Sequence, residues 1–224
     1  MSSTVVGGVM LCLLGCVLGA HVAMVAGSLS RPQVYDLLRL HNRLRSDVSP
    51  TPCQQLRPLV WSLELAQVAQ RYASSCNWEH NPRRSTQATK FARVGENLAY
   101  STATRDSVLD LVQAWYDEID DYTLSTNQCH ARPCGHFTQI VWNTTTHVGC
   151  GMHVCPTSST KHLTLNPRQY PQVLILVCNY GPAGNWAGRA PYSACSGSGR
   201  LLHAITPALI HTYVALLVLR AAFQ

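Results

Sequence analysis

Eight cysteines between residues 53 and 195 constrain this chain more than any other feature: Cys53, Cys76, Cys129, Cys134, Cys150, Cys155, Cys178 and Cys195. Two more, Cys12 and Cys16, fall within an uncharged apolar run over residues 4–20. That run reads as a secretory signal peptide, with small residues offering cleavage between positions 20 and 27. Its removal would leave an even set, which in a secreted chain predicts a disulfide framework. Two alternatives stand beside this reading. The run could be an N-terminal membrane anchor, although it is short and interrupted by glycines. The C-x4-C pairs Cys129/Cys134 and Cys150/Cys155 could be zinc half-sites, although zinc knuckles favour shorter C-x2-C spacing in reducing compartments.

The other end is also apolar. Small residues from 193 to 199 are followed by a mixed spacer to residue 207 and an apolar tail over 208–224. This order resembles a GPI-attachment signal, with Ser196, Gly197 and Ser198 suited to attachment. A transmembrane helix is the competitor, but no Lys/Arg stop follows it; a soluble secreted form is the third possibility. The expected division is residues 1–27 signal, 28–195 folded domain, and 196–224 anchor signal. About 165 residues remain for folding, enough for one well-buried core.

Charge is uneven. Residues 1–121 hold all eleven acids and eleven Lys/Arg, so the net +6 arises entirely from residues 122–224. Those cations form no cluster, so nucleic acid is not an expected partner. Helical spacing predicts a first helix from Ser30 with Val34, Leu37, Leu38, His41 and Leu44 on one face, stopped at residues 49–52. A second helix follows Ser62, with Leu65, Val68, Ala69, Tyr72 and Cys76 inward. A third starts near Asp106, with Val108, Leu111, Val112, Trp115 and Ile119 inward and Asp110, Asp117, Asp120 and Asp121 outward. Residues 136–142 fit either a short helix or a strand. Residues 146–154 alternate, and Gly149 and Gly151 suggest close backbone approach. Residues 173–180 form a continuous apolar run, a buried strand. Helices first and strands later, with no βαβ rhythm, imply an α+β fold.

Four polar residues stand in conspicuous frames: His80, Glu96, Glu118 and His136. Spacing alone does not assemble them, since no H-E-x-x-H helix is present. Four stretches bring a resemblance. His41-Asn42-Arg43-Leu44-Arg45, Gly95-Glu96-Asn97-Leu98, residues 135–142 (GHFTQIVW) and residues 178–185 (CNYGPAGN) resemble the CAP superfamily of cysteine-rich secretory, antigen-five and pathogenesis-related proteins. The mammalian peptidase-inhibitor and glioma pathogenesis-related branch is the most similar, on the Cys129–Cys134 loop and the lack of a cysteine-rich domain after Cys195.

The resemblance implies an α-β-α sandwich, with a central antiparallel sheet between helical layers. It also implies an open cleft lined by His80, Glu96, Glu118 and His136. The two histidines would bind a divalent cation such as zinc weakly, with the carboxylates orienting the imidazoles. The family pattern pairs Cys76 with Cys155 and agrees with Cys150–Cys178, which the two strand runs also suggest. The short loop suggests Cys129–Cys134, and Cys53–Cys195 is left by elimination. Asn143-Thr144-Thr145 is a glycosylation sequon in an expected loop. The functional expectation is a membrane-tethered extracellular binder of protein, peptide or lipid, a protease inhibitor among its possibilities, rather than an enzyme. The alternatives are a zinc-dependent hydrolase and a sterol or lipid carrier.

Overall fold

The computed structural model describes residues 27–102 and 107–195. Asp106, most of the expected signal segment, and Ser196, Gly197 and Ser198 with the apolar tail lie outside the described residues. Helix α1 spans Arg31–Ser46. Ser30 caps it in a reciprocal box: its Oγ accepts from the Gln33 amide, and Gln33 Oε1 accepts from the Ser30 amide. Its inward face carries Leu37, Leu40, His41, Leu44 and Arg45. Arg45 is 1% exposed, and its five N–H donors all reach carbonyls, those of Arg57, Ile140, Trp142 and Thr145. A buried cation is thereby satisfied without an acid.

Strand β1 (Val60–Trp61) leads into α2 (Leu63–Ala73), capped by Ser62 as the sequence indicates. Helix α2 stops before Cys76, which turns the chain with a positive φ of 50°. After the short α3 (Arg84–Gln87) come β2 (Gly95–Ser101) and α4 (Val108–Tyr116). The α4 cap is Ser107, not the expected Asp106. Ser107 and Asp110 form a capping box, satisfying two otherwise orphaned donors. Asp110 therefore serves the helix end while staying exposed on the outward side that the spacing predicts. A 3-10 turn, Asp117–Asp121, continues α4 and carries Glu118. Strands β3 (Tyr122–Thr123) and β4 (Gln128–Cys129) form a small hairpin before α5 (Gly135–Ile140). The ambiguous stretch over 136–142 thus begins as helix. Strands β5 (His147–Pro156) and β6 (Gln172–Gly181) complete the fold.

The main sheet runs in the order β1-β5-β6-β2. Its three long strands are antiparallel, and the two-residue β1 joins β5 in parallel. The middle strand β6 explains its unbroken apolar sequence. Leu176, Cys178 and Tyr180 face the core formed with α1, α4 and α5, while Val173, Ile175 and Val177 face the opposite core near α2. Both faces of the strand are buried, so both side-chain sets are apolar. The α+β sandwich stands. Gly149 and Gly151 allow α2 to lie directly on β5. A Cβ on Gly149 would strike the backbone of Ser62, Leu65 and Ala66, and one on Gly151 would strike Ala69 and Gln70.

Three disulfides form as expected: Cys76–Cys155, Cys129–Cys134 and Cys150–Cys178. Cys150 and Cys178 are direct partners across β5 and β6. A Cys53–Cys195 bond is not among them. The bridge between Pro52 and Ala194 nevertheless lays those two segments side by side.

Candidate functional site

The four polar residues fold into two histidine–glutamate pairs. His80 sits on the loop after α2. That loop is fixed by paired backbone bonds, Trp78 N to Lys161 O and Lys161 N to Cys76 O, each 2.9 Å. Its Nδ1 lies 2.9 Å from Glu96 Oε1, which also accepts the Asn81 amide at 2.8 Å. The Glu96 side chain is 0% exposed and that of His80 is 57% exposed, so the acid lies beneath the ring. Glu96 Oε2 is buried and accepts no hydrogen bond among the described residues.

The second pair solves a helix-end problem. Helix α5 is six residues long, and Cys134 at its start supplies no side-chain cap. Glu118 supplies it: Oε2 accepts the amides of His136 at 2.9 Å and Phe137 at 3.1 Å, while Oε1 lies 2.6 Å from His136 Nδ1. The Trp115 ring stacks on His136, with centroids 5.8 Å apart and planes 21° apart. An ionised carboxylate only accepts, so Nδ1 carries the proton in both neutral rings. Each Nε2 is then left with its lone pair.

Sequence reasoning gave Asn97 and Tyr180 no role, although both stand in the quoted motifs. Asn97 Nδ2 donates to the His136 carbonyl at 3.1 Å and to Tyr180 Oη at 3.3 Å. Tyr180 Oη lies 3.0 Å from His41 Nε2, and His41 Nδ1 lies 2.8 Å from the Leu37 carbonyl. Since Nδ1 must donate to that carbonyl, Nε2 accepts the tyrosine proton. Burial pushes His41 down to about 4, and also raises the Tyr180 phenol well above its ordinary value. The Arg45 guanidinium is lowered to about 10 by the same desolvation. Asn97 follows Glu96 in sequence, so one strand anchors the acid of the first pair and the backbone of the second.

The motifs also interlock through Gln139. Its Oε1 accepts the Gly184 amide at 2.9 Å and its Nε2 donates to Thr145 Oγ1 at 3.2 Å. A Cβ at Gly95 would collide with this side chain, which accounts for glycine before Glu96. Asn143 is exposed on the turn after α5, whereas Thr145 is buried and donates to the Pro182 carbonyl at 2.9 Å. The sequon threonine therefore has a structural task of its own.

Two cavities, of about 550 and 340 Å³, are lined by residues other than the tetrad. The first includes Arg57, Asn143 and Tyr192, and the second lies between α1 and α4. Among the described residues, Cys76, His153 and Cys155 form the compact three-donor group that could hold a metal. Its two sulfurs are bonded to each other. That group could ligate as thiolates only after reduction.

A model of the cysteine-rich secretory protein family, CAP, matches residues 38–180. Peptidase inhibitor 15 of Xenopus laevis is 34% identical over 174 residues, covering 74% of this chain and 63% of that protein. The chain thus spans less than two thirds of that relative's length. Schistosoma mansoni venom allergen-like protein 4 matches in structure at 28% identity and a TM-score of 0.57, covering 74% of this chain and 96% of that one. The crystal structure of NaASP2 with Zn2+ shares the fold at 23% identity and a TM-score of 0.54, covering 74% and 87%. A family match across most of the folded domain, on a shared three-layer architecture, places this chain in the CAP, or cysteine-rich secretory protein, family.

Proposed function

We propose that this chain is an extracellular CAP-domain binding protein, tethered at its C-terminus, rather than a hydrolase. The observation that carries the reading is the engagement of each glutamate with an imidazole and with backbone amides. Glu118 accepts three bonds and Glu96 Oε1 accepts two, so each carboxylate orients an imidazole rather than standing free as a general base. His80 and His136 would offer Nε2 to a divalent cation such as zinc, with Glu96 and Glu118 holding the two rings through Nδ1. Two protein ligands are fewer than the three usual in catalytic zinc sites, which favours weak, accessory binding. The partner is an extracellular protein, peptide or lipid, and kinship to peptidase inhibitor 15 makes protease inhibition one activity to assay.

Calorimetry with zinc tests the metal assignment. Wild type should take up zinc weakly, and the His80→Ala/His136→Ala protein should take up none; equal uptake by both removes the assignment. Glu96→Gln and Glu118→Gln should leave partner binding within a few fold. Peptide cleavage by wild type that falls about a hundredfold in either variant would establish the hydrolase instead. Asn143 is the proposed glycan site. We also retain Cys53–Cys195 as the fourth disulfide of the mature chain, on the strength of the Pro52–Ala194 bridge.

A further inference from the structure

One face of the domain gathers exposed apolar tips among cations. Leu63 is 68% exposed, Val60 58% and Trp186 44%. They belong to one surface. Val60 pairs with His147, and the Phe91 ring packs on His147 with centroids 5.2 Å apart. The Glu64 carboxylate beside Leu63 accepts the Thr89 amide and hydroxyl at 2.6 and 2.9 Å, fixing the start of α2 against residues 89–93. Arg93 accepts the Ala183 amide on its carbonyl at 3.0 Å and sets its guanidinium 5.1 Å from the Trp186 ring centre. The indole Nε1 donates to the Ala183 carbonyl at 3.1 Å, so the ring is held in place while exposed.

We propose that this face docks on an anionic lipid bilayer. Two observations select that occupant. The first is charge. Arg57, Lys90, Arg93 and Arg189 are exposed on these segments, and Glu64, already engaged with Thr89, is the single acid within residues 57–64, 89–93 and 183–189. Apolar tips set apart by cations suit a headgroup layer, where tryptophan sits at the interface and Lys/Arg meet anionic lipid. A protein interface would instead centre on a contiguous apolar core depleted of charge. The second is where the chain leaves the domain. The Cys53 amide holds the Ser193 carbonyl at 2.8 Å, and Ser193 lines the same 550 Å³ cavity as Arg57 and Thr146. Thr146 immediately precedes His147 of the face, so the last described residues, 193–195, run beside it.

The test uses the mature protein purified from expressing cells, with whatever C-terminus it carries. It is mixed with phosphatidylcholine vesicles or with vesicles containing phosphatidylserine, both with brominated acyl chains that quench tryptophan fluorescence. Trp186 is the exposed tryptophan, and residues 196–224 contain none, so an inserted tail adds no signal. Quenching should be several-fold stronger with phosphatidylserine, fall with added salt, and drop to the neutral-vesicle level in Trp186→Phe and in Lys90→Glu/Arg93→Glu. Matching thermal melts confirm that the variants are folded. Quenching that is equal in both vesicles, or unchanged by Trp186→Phe, overturns the proposal. So does absence of quenching because a second copy, seen as concentration-dependent dimerisation, or the chain's own tail covers the face.

Discussion

Acid should weaken this protein through His41. The ring is fully buried and held neutral, donating from Nδ1 to Leu37 and accepting from Tyr180 at Nε2. Burial lowers its pKa from 6.5 to about 4. Between those values the unfolded chain binds a proton that the native chain refuses, so stability rises with pH across the window and falls as pH drops. Above about 6.5 neither state is protonated and the penalty vanishes. At one proton the slope approaches ~1.4 kcal/mol per pH unit, giving a loss of about 2 kcal/mol at pH 5 and about 3 kcal/mol at pH 4. Other groups titrate in the same range, so the measurement is a difference. Wild type and His41→Gln are unfolded with guanidinium at pH 7, 5 and 4. At pH 7 wild type should be the more stable by about 1–2 kcal/mol, the value of a buried hydrogen bond. That advantage should be cancelled or slightly reversed at pH 5 and clearly reversed by pH 4. A difference that stays constant with pH within about 0.5 kcal/mol would refute the reasoning, because a ring that protonates in place carries no linkage.

Three further outcomes follow from the packing and the chain ends. Trp115 is 4% exposed, donates to the Leu98 carbonyl and stacks on His136, so Trp115→Ala should cost about 3–5 kcal/mol in chemical denaturation; an unchanged midpoint would make it a surface anchor instead. Gly149→Ala should cost about 1–3 kcal/mol by forcing α2 away from β5, and an unchanged melt would contradict the close approach. Cells expressing the chain should lose surface protein on treatment with phosphatidylinositol-specific phospholipase; retention, with a tail peptide from residues 201–224 detected in the mature protein, would rule out the lipid anchor.

Much of the core was legible in the sequence because its periodicities are clean. The capping residues Ser30 and Ser62, the inward stripe of α4 and the double-sided burial of β6 all follow from spacing and polarity. The start of α4 was misplaced by one position because two good caps, Asp106 and Ser107, are adjacent, and only the reciprocal bonds of Ser107 and Asp110 decide between them. The four site residues were found through motif resemblance, since they are separated by up to 56 positions and no local spacing joins them. Their pairing is tertiary. Glu118 meets His136 because α5 lacks a cap, and Glu96 meets His80 through a loop held by Lys161. The role of Asn97 was hidden for the same reason: its partners, Tyr180 and His136, arrive from other elements.

The carbonyl cradle around Arg45 has a consequence for the order of synthesis. Three of the receiving carbonyls, on Ile140, Trp142 and Thr145, lie 95, 97 and 100 residues further along the chain. Helix α1 emerges early, yet its cation has no complete set of acceptors until residue 145 has been made. Its neighbour His41 waits longer still, for Tyr180, 139 residues on. The first helix therefore cannot settle while the nascent chain grows, and its apolar face stays exposed until the last long strand joins the sheet. Folding of this domain therefore waits on residues 140–180, and its amino-terminal helix completes its packing only once they have arrived.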